Sequence, residues 1–70
     1  MPEVTAPMVG KLLKFEVKVG DTVQENDVVA ILEAMKMHVE VFADDSGVVK
    51  ALKVAEGDVV KAGDALMVLE

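Results

Sequence analysis

Apolar and polar residues alternate along several short stretches of the chain, a pattern that predicts β-strands separated by tight turns. Residues 14–19 (KFEVKV) and 38–41 (HVEV) have the period of two expected of half-buried strands. Residues 28–32 (VVAIL) are continuously apolar, and their short length and β-branched side chains favour a buried strand over a helix. The chain is therefore predicted to be rich in β-structure.

The sequence contains an internal repeat. When it is shifted by 37 residues, residues 3–33 overlie residues 40–70 without a gap, and eleven of the 31 aligned pairs are identical. Two copies are too few for a solenoid, so the repeat predicts two halves related by an approximate two-fold axis. The identical pairs are Glu3/Glu40, Val4/Val41, Ala6/Ala43, Gly10/Gly47, Val17/Val54, Gly20/Gly57, Asp21/Asp58, Val23/Val60, Asp27/Asp64, Leu32/Leu69 and Glu33/Glu70.

Turn signals recur at equivalent positions of the two halves. Gly20-Asp21 and Gly57-Asp58 each lie between apolar stretches. Asn26 occupies the position of Gly63, and because both residue types tolerate positive φ, a left-handed residue is predicted at each. The aspartates of these turns are interpreted as turn-formers that bond their own following backbone, not as metal ligands: Asp21, Asp27, Asp58 and Asp64.

Each half then contains about four short strands. Eight strands can close into a flattened barrel or form two facing sheets. The predicted fold is therefore all-β, a flattened eight-strand barrel or sandwich with two pseudosymmetric halves, in one domain spanning residues 1–70. The strands are expected near residues 2–6, 10–19, 22–24 and 28–35, and near residues 38–43, 47–54, 59–61 and 65–69.

The composition argues against most catalytic and binding functions. There is no cysteine, one histidine (His38) and one serine (Ser46), too few for a catalytic triad or a zinc site. Thirteen acidic residues face seven lysines and no arginine, with no basic cluster, so nucleic-acid binding is not expected. Neither a catalytic nor a metal-ligating residue is predicted.

Nothing in the chain predicts insertion into a membrane. The longest apolar runs, residues 28–32 and 65–69, are far shorter than a membrane span, and no signal peptide is expected. The expected location is the cytoplasm, or a mitochondrial or plastid matrix if the domain is a piece of an organellar enzyme.

The two halves join at Glu33-Ala34-Met35-Lys36-Met37. Ala-Met-Lys-Met resembles the biotin-attachment motif of biotinyl carrier domains, and Lys36 lies 34 residues from the C-terminus, a spacing typical of that family. The resemblance covers essentially the whole chain and implies covalent biotin on Lys36. It extends to the Gly-Asp pairs, Val23, Asp27 and Glu33.

The resemblance also implies the function. A biotinyl domain is a carrier without catalytic activity of its own, to which a biotin protein ligase attaches biotin. Its arm carries carboxylate from a biotin carboxylase, or from a carboxylated donor, to a carboxyltransferase or other acceptor site. The family fold is the flattened eight-strand barrel that the repeat predicts independently. Some members carry an extra loop, the thumb, for which the gapless repeat leaves no room here.

The residues around Lys36 fit this interpretation. Lys36 follows a buried strand and precedes an alternating one, so it is predicted at a hairpin tip, where an amine is accessible to a modifying enzyme. Met35 and Met37 suit a surface that meets several partners, although either could instead fill the core. His38 is expected to face solvent. Glu33 recurs as Glu70, which indicates a structural role, and the resemblance implies that the ligase also contacts it.

Two alternatives stay open at this stage. A lipoyl carrier domain of a 2-oxo acid dehydrogenase-type complex has the same fold, but usually shows Asp-Lys-Ala at the tip. A structural copy of the fold, as in membrane-fusion adaptors of exporters, lacks the modified lysine and is flanked by long helices.

The repeat also predicts where the ends of the chain lie. The two-fold axis maps residue 36 to a position three residues beyond the C-terminus. The two termini are therefore expected to lie together, at the end of the domain opposite Lys36.

Overall fold

A computed structural model describes residues 2–70, and that part of the chain is built from β-strands and turns without a helix. None of it, accordingly, is a helix long and apolar enough to cross a membrane. The strands are β1 (Glu3–Thr5), β2 (Gly10–Phe15), β3 (Thr22–Val23), β4 (Val28–Ala34), β5 (Met37–Phe42), β6 (Gly47–Leu52), β7 (Val59–Val60) and β8 (Ala65–Leu69).

The strands form two antiparallel four-stranded sheets. One sheet has the order β1-β8-β6-β3 and the other has the order β5-β4-β2-β7. A shift of 37 residues converts β1, β2, β3 and β4 into β5, β6, β7 and β8, so it also converts one sheet order into the other. The predicted all-β fold with two pseudosymmetric halves is confirmed.

The core is apolar and draws on both halves equally. Leu12 and Leu32 of the first half are fully buried, and their counterparts Val49 and Leu69 are at most 1% exposed. Burying one such side chain contributes roughly 1.5–3 kcal/mol. No polar or charged residue among residues 2–70 is buried. The remaining core residues are Val4, Ala6, Val23, Val29, Ala30, Val41, Ala43, Val60, Leu66 and Met67.

One turn design occurs four times. In each copy an aspartate accepts a hydrogen bond through its carboxylate from the backbone amide three residues earlier, and donates its own amide to the carbonyl of that residue. The residue before the aspartate has positive φ: 97° at Gly20, 77° at Asn26, 97° at Gly57 and 90° at Gly63. Positive φ at the third residue is the signature of a type II turn. The predicted left-handed Asn26 is confirmed.

The four aspartates are turn-formers, as predicted, but the prediction that each bonds the backbone that follows it was wrong. Asp21 accepts from the amide of Lys18, which precedes it, and not from the backbone that follows. The positive φ of the third residue reverses the chain. The aspartate at the fourth position therefore lies beside the first residue and accepts the hydrogen bond of its amide. The other three aspartates bond in the same way: Asp27 to Gln24, Asp58 to Ala55 and Asp64 to Lys61.

The second strand is shorter than the alternating pattern predicts. β2 ends at Phe15, and the last amide bonded to the neighbouring strand is that of Glu16, which donates to the carbonyl of Val29. The Asp21 turn then occupies both backbone groups of Lys18, so residues 18 and 19 cannot extend the ladder. β6 is also shorter than predicted: it ends at Leu52 instead of residue 54, and the amide of Lys53 still donates to the carbonyl of Leu66. The other strand boundaries differ from the predicted ones by one residue or less.

The connections support the other two fold predictions. Residues 16–21 and residues 53–58 link the second to the third strand of each half with equal lengths, so neither half has a thumb. The amide of Leu69 donates to the carbonyl of Pro2, which places the two ends of the described chain side by side. From there β1 leads away towards Gly10, which lies against Glu33 at the base of the β4–β5 hairpin.

The left-handed turn at Asn26 generates a stability prediction. Asn26→Gly keeps positive φ without a Cβ penalty, so we expect the free energy of unfolding to change by less than about 1 kcal/mol. Asn26→Val places a β-branched residue there and should destabilise by about 1–3 kcal/mol. Gly63→Asn, at the equivalent turn, is the matched control and should be tolerated. Urea denaturation measures all three, and equal midpoints for the Gly and Val variants would contradict this account of the turn.

Candidate functional site

The candidate site is the tip of the β4–β5 hairpin. Ala34 and Met37 are the last paired residues of the two strands, so only Met35 and Lys36 form the loop. Both have positive φ, 52° at Met35 and 64° at Lys36. A two-residue loop with positive φ at both positions is a type I′ turn, whose twist matches that of the paired strands. Lys36 therefore lies at the hairpin tip, where the sequence analysis predicts it.

The residues in this turn are not those that the turn itself prefers. Type I′ turns favour Asn-Gly and Asp-Gly, because these residues adopt positive φ most readily. Met and Lys both have a Cβ atom, so a positive φ costs each of them on the order of 1–3 kcal/mol. Local turn formation therefore does not explain Met35 and Lys36. Backbone strain at an exposed position indicates that these two side chains have a role in contacts outside the domain.

The side chains of the tip point away from the core. Met35 is 94% exposed and Met37 is 68% exposed. The interpretation of either methionine as core filler is thus wrong, because the hairpin extends beyond the region where the two sheets cover each other. Lys36 is also exposed, and within residues 2–70 no hydrogen bond or ion pair involves its amine.

The remaining predicted site residues lie at the base of the tip. Glu33 is exposed and is paired with Lys11 of β2 on one side and with His38 of β5 on the other. Ala34 is half-buried next to Gly10. His38 is exposed, as predicted. The hairpin thus brings residues 33–37 together as one continuous projection.

The chemistry available at the tip is that of a primary amine on a flexible stem. No group of three or more histidine, cysteine, aspartate or glutamate residues within residues 2–70 could hold a metal ion. An open groove lies on the outer face of β2, β4 and β5, lined by Leu13, Lys14, Glu16, Ile31, His38 and Glu40. The tip therefore suits attachment of a group to Lys36 better than enclosure of a ligand.

Comparison with known proteins identifies the family. Residues 2–69 match the biotin/lipoyl attachment family, described as "Biotin-requiring enzyme". The chain belongs to this family.

Individual relatives agree with this assignment. The chain is 48% identical over 66 residues to the biotin/lipoyl attachment protein of Bacillus subtilis, an alignment that covers 94% of this chain and 90% of that protein. It is 52% identical over 64 residues to the biotin carboxyl carrier protein of Streptococcus mutans, covering 91% of this chain but 49% of the relative. Among solved structures, the crystal structure of Kluyveromyces lactis urea carboxylase matches 99% of this chain and 6% of that chain, with a TM-score of 0.90 and 36% identity.

These comparisons confirm several predictions. The family, the biotin cofactor and the character of a carrier without catalytic activity of its own are those that the sequence predicts. The lipoyl alternative is not favoured, because relatives named as biotin carboxyl carrier proteins recur among the matches. An exposed amine at a hairpin tip also fits a covalently attached biotin, which requires a side chain within reach of a modifying enzyme.

Sequence reasoning missed two features of this site. The left-handed backbone at Met35 and Lys36 was not predicted, although the predicted strand ends already left a two-residue loop, displaced by one residue to 36–37. The close approach of Gly10 to Glu33 was also missed. Its signal was present in the repeat, since Gly10 and Gly47 are an identical pair outside the turns.

The strained turn generates a second stability prediction. Met35→Asn places a residue that readily adopts positive φ at the first loop position, and should raise the free energy of unfolding by about 0.5–1 kcal/mol. Met37→Asn is the control, because Met37 is a strand residue outside the loop, and there asparagine should give no gain. Thermal unfolding of both variants checks this, and a Met35→Asn variant no more stable than the parent would argue against strain at the tip.

Proposed function

We propose that Lys36 is the attachment residue, and that a biotin protein ligase joins biotin to its amine through an amide bond. The observation that supports this most strongly is the position of Lys36 in the two-residue loop of the hairpin. There it lies between the highly exposed Met35 and Met37 of the Ala-Met-Lys-Met sequence. The neighbouring Glu33, Ala34, Met35 and Met37 form the surface that the ligase contacts.

The fold combines the two parts that a carrier needs, a stiff support and a flexible arm. The paired strands fix where the amine leaves the domain, while the four-carbon stem of Lys36 lets the attached group reorient. Bound biotin supplies a ring nitrogen that accepts and releases a carboxyl group. Tethering gives that ring a high effective concentration at every active site it can reach, which a freely diffusing cofactor lacks.

The partners follow from the proteins that contain similar domains. The chain is 39% identical over 67 residues to part of the pyruvate carboxylase of Staphylococcus aureus, of which it spans 6%. We propose that it works with biotin carboxylase and carboxyltransferase domains or subunits, which select the substrate. The choice among acyl-CoA, pyruvate and other acceptors then depends on those partners, and not on the residues of this domain.

Removal of the attachment residue tests the proposal directly. We expect Lys36→Arg to abolish biotinylation while leaving the thermal unfolding midpoint within a few degrees, because the side chain lies outside the core. In the parent chain the modification converts an ammonium into a neutral amide, so the formal net charge should change from −6 to −7. Intact mass and native electrophoresis, after incubation with ligase, biotin and ATP, measure both effects. Biotin on the Lys36→Arg variant would refute the assignment.

Moving the lysine by one residue tests the importance of its position. Two double variants keep the composition and an exposed lysine: Met35→Lys with Lys36→Met, and Met37→Lys with Lys36→Met. A one-residue step moves the backbone origin by about 3.3 Å, and misplacement by about 1 Å can slow a reaction roughly a hundredfold. We therefore expect biotinylation to be at least about a hundredfold slower in both, with unchanged circular dichroism. A near-parental rate in either would mean that any exposed lysine of the hairpin suffices.

A further inference from the structure

Gly10 lies where a side chain would collide with the base of the hairpin. A Cβ built on Gly10 would be 2.9 Å from the carbonyl oxygen of Glu33 and 3.6 Å from the Cβ of Ala34. Ordinary van der Waals contact begins at about 3.4 Å. The atom in the way is a backbone oxygen, which cannot rotate aside as a flexible side chain can.

Backbone conformation does not explain this glycine. Gly20, Gly57 and Gly63 have positive φ, whereas Gly10 is not among the residues with positive φ. An alanine could therefore adopt the local backbone conformation at Gly10, and the space is what excludes it. The glycine allows the start of β2 to lie closer to Glu33 and Ala34 than any other residue would.

We propose that Gly10 is a positioning residue for the attachment hairpin: its missing side chain sets where β4 ends, and so where Lys36 is held. The inference rests on the proposed attachment at Lys36 and deepens it. Gly10 touches neither biotin nor ligase, and acts only through the backbone of Glu33.

Only two residues, Ala34 and Met35, separate Glu33, which Gly10 contacts, from Lys36. Glu33 and Ala34 are paired with the first two residues of β5, and the two-residue loop follows Ala34 at once. Moving the Glu33 carbonyl far enough to admit a Cβ requires a shift of about 0.5 Å, judged from the 2.9 Å approach. Because the paired strands move as a unit, this shift reaches the backbone of Lys36 instead of being absorbed in a flexible loop.

The two-fold repeat provides a matched control. A Cβ on Gly47, the counterpart of Gly10, would be 2.9 Å from the carbonyl oxygen of Glu70, the counterpart of Glu33. It would also be 3.3 Å from the Cβ of Leu69. The same substitution at Gly47 therefore creates the same collision in the other sheet, which does not contain the β4–β5 hairpin. Gly10→Ala disturbs the base of the hairpin that carries Lys36, whereas Gly47→Ala disturbs the end of β8.

The experiment compares the two alanine variants as ligase substrates and as folded proteins. Initial rates of biotinylation are measured with biotin protein ligase, biotin and ATP at a temperature where circular dichroism shows both variants fully folded. Backbone amide shifts of residues 35–37 are followed by ¹H–¹⁵N NMR in the unmodified chains. We expect Gly10→Ala to lower kcat/KM roughly tenfold and to shift these amides. Gly47→Ala should stay within about twofold of the parent and leave the amides unchanged.

Three results would overturn the inference: a parental rate for Gly10→Ala, an equal loss of rate in both variants, or no change in the amides of residues 35–37 in Gly10→Ala. Failure of the proposed function is seen separately. If the parent chain itself is not biotinylated, the attachment proposal fails, while the NMR comparison still decides whether Gly10 positions the hairpin.

Discussion

The constraint on which the structure depends is the pairing of β4 and β5 up to Ala34 and Met37. This pairing leaves two residues to reverse the chain, and a two-residue connection between twisted strands forces both into the left-handed region. Met35 and Lys36 are poor choices for that conformation, yet the ladder below them holds them there. The result is an amine at a defined point on a rigid support, with a mobile stem beyond it.

The two-fold repeat explains how so short a chain affords such a support. Each half supplies the same turns and the same core positions, and the two sheets cover each other's apolar faces without burying a polar side chain among residues 2–70. The halves differ at the tip. The β4–β5 hairpin that carries Lys36 joins the two halves, whereas the equivalent end of β8 lies beside Pro2. The proposed attachment site therefore lies at the junction of the two halves.

Much of the fold was predictable because the repeat indicates the local backbone conformation of the turns as well as the two-fold arrangement of the halves. The match of Asn26 with Gly63 predicts a left-handed residue, and the shared Gly-Asp pairs predict turns. The exposure of Met35 and Met37 was not predictable from composition, since methionine also fills cores. The second strand was predicted too long because alternation continues past Phe15, whereas the Asp21 turn takes both backbone groups of Lys18 and ends the ladder before it. The role of Gly10 depends on a distance between strands, which no pattern along one strand contains.

The central claim is that the position at the hairpin tip, and not mere exposure, selects one lysine of seven. Peptide mapping by mass spectrometry, after the parent chain is treated with biotin protein ligase, biotin and ATP, measures this directly. The account predicts biotin on the peptide containing Lys36 and on no other peptide. Biotin distributed over several lysines, or its absence from Lys36, would contradict it.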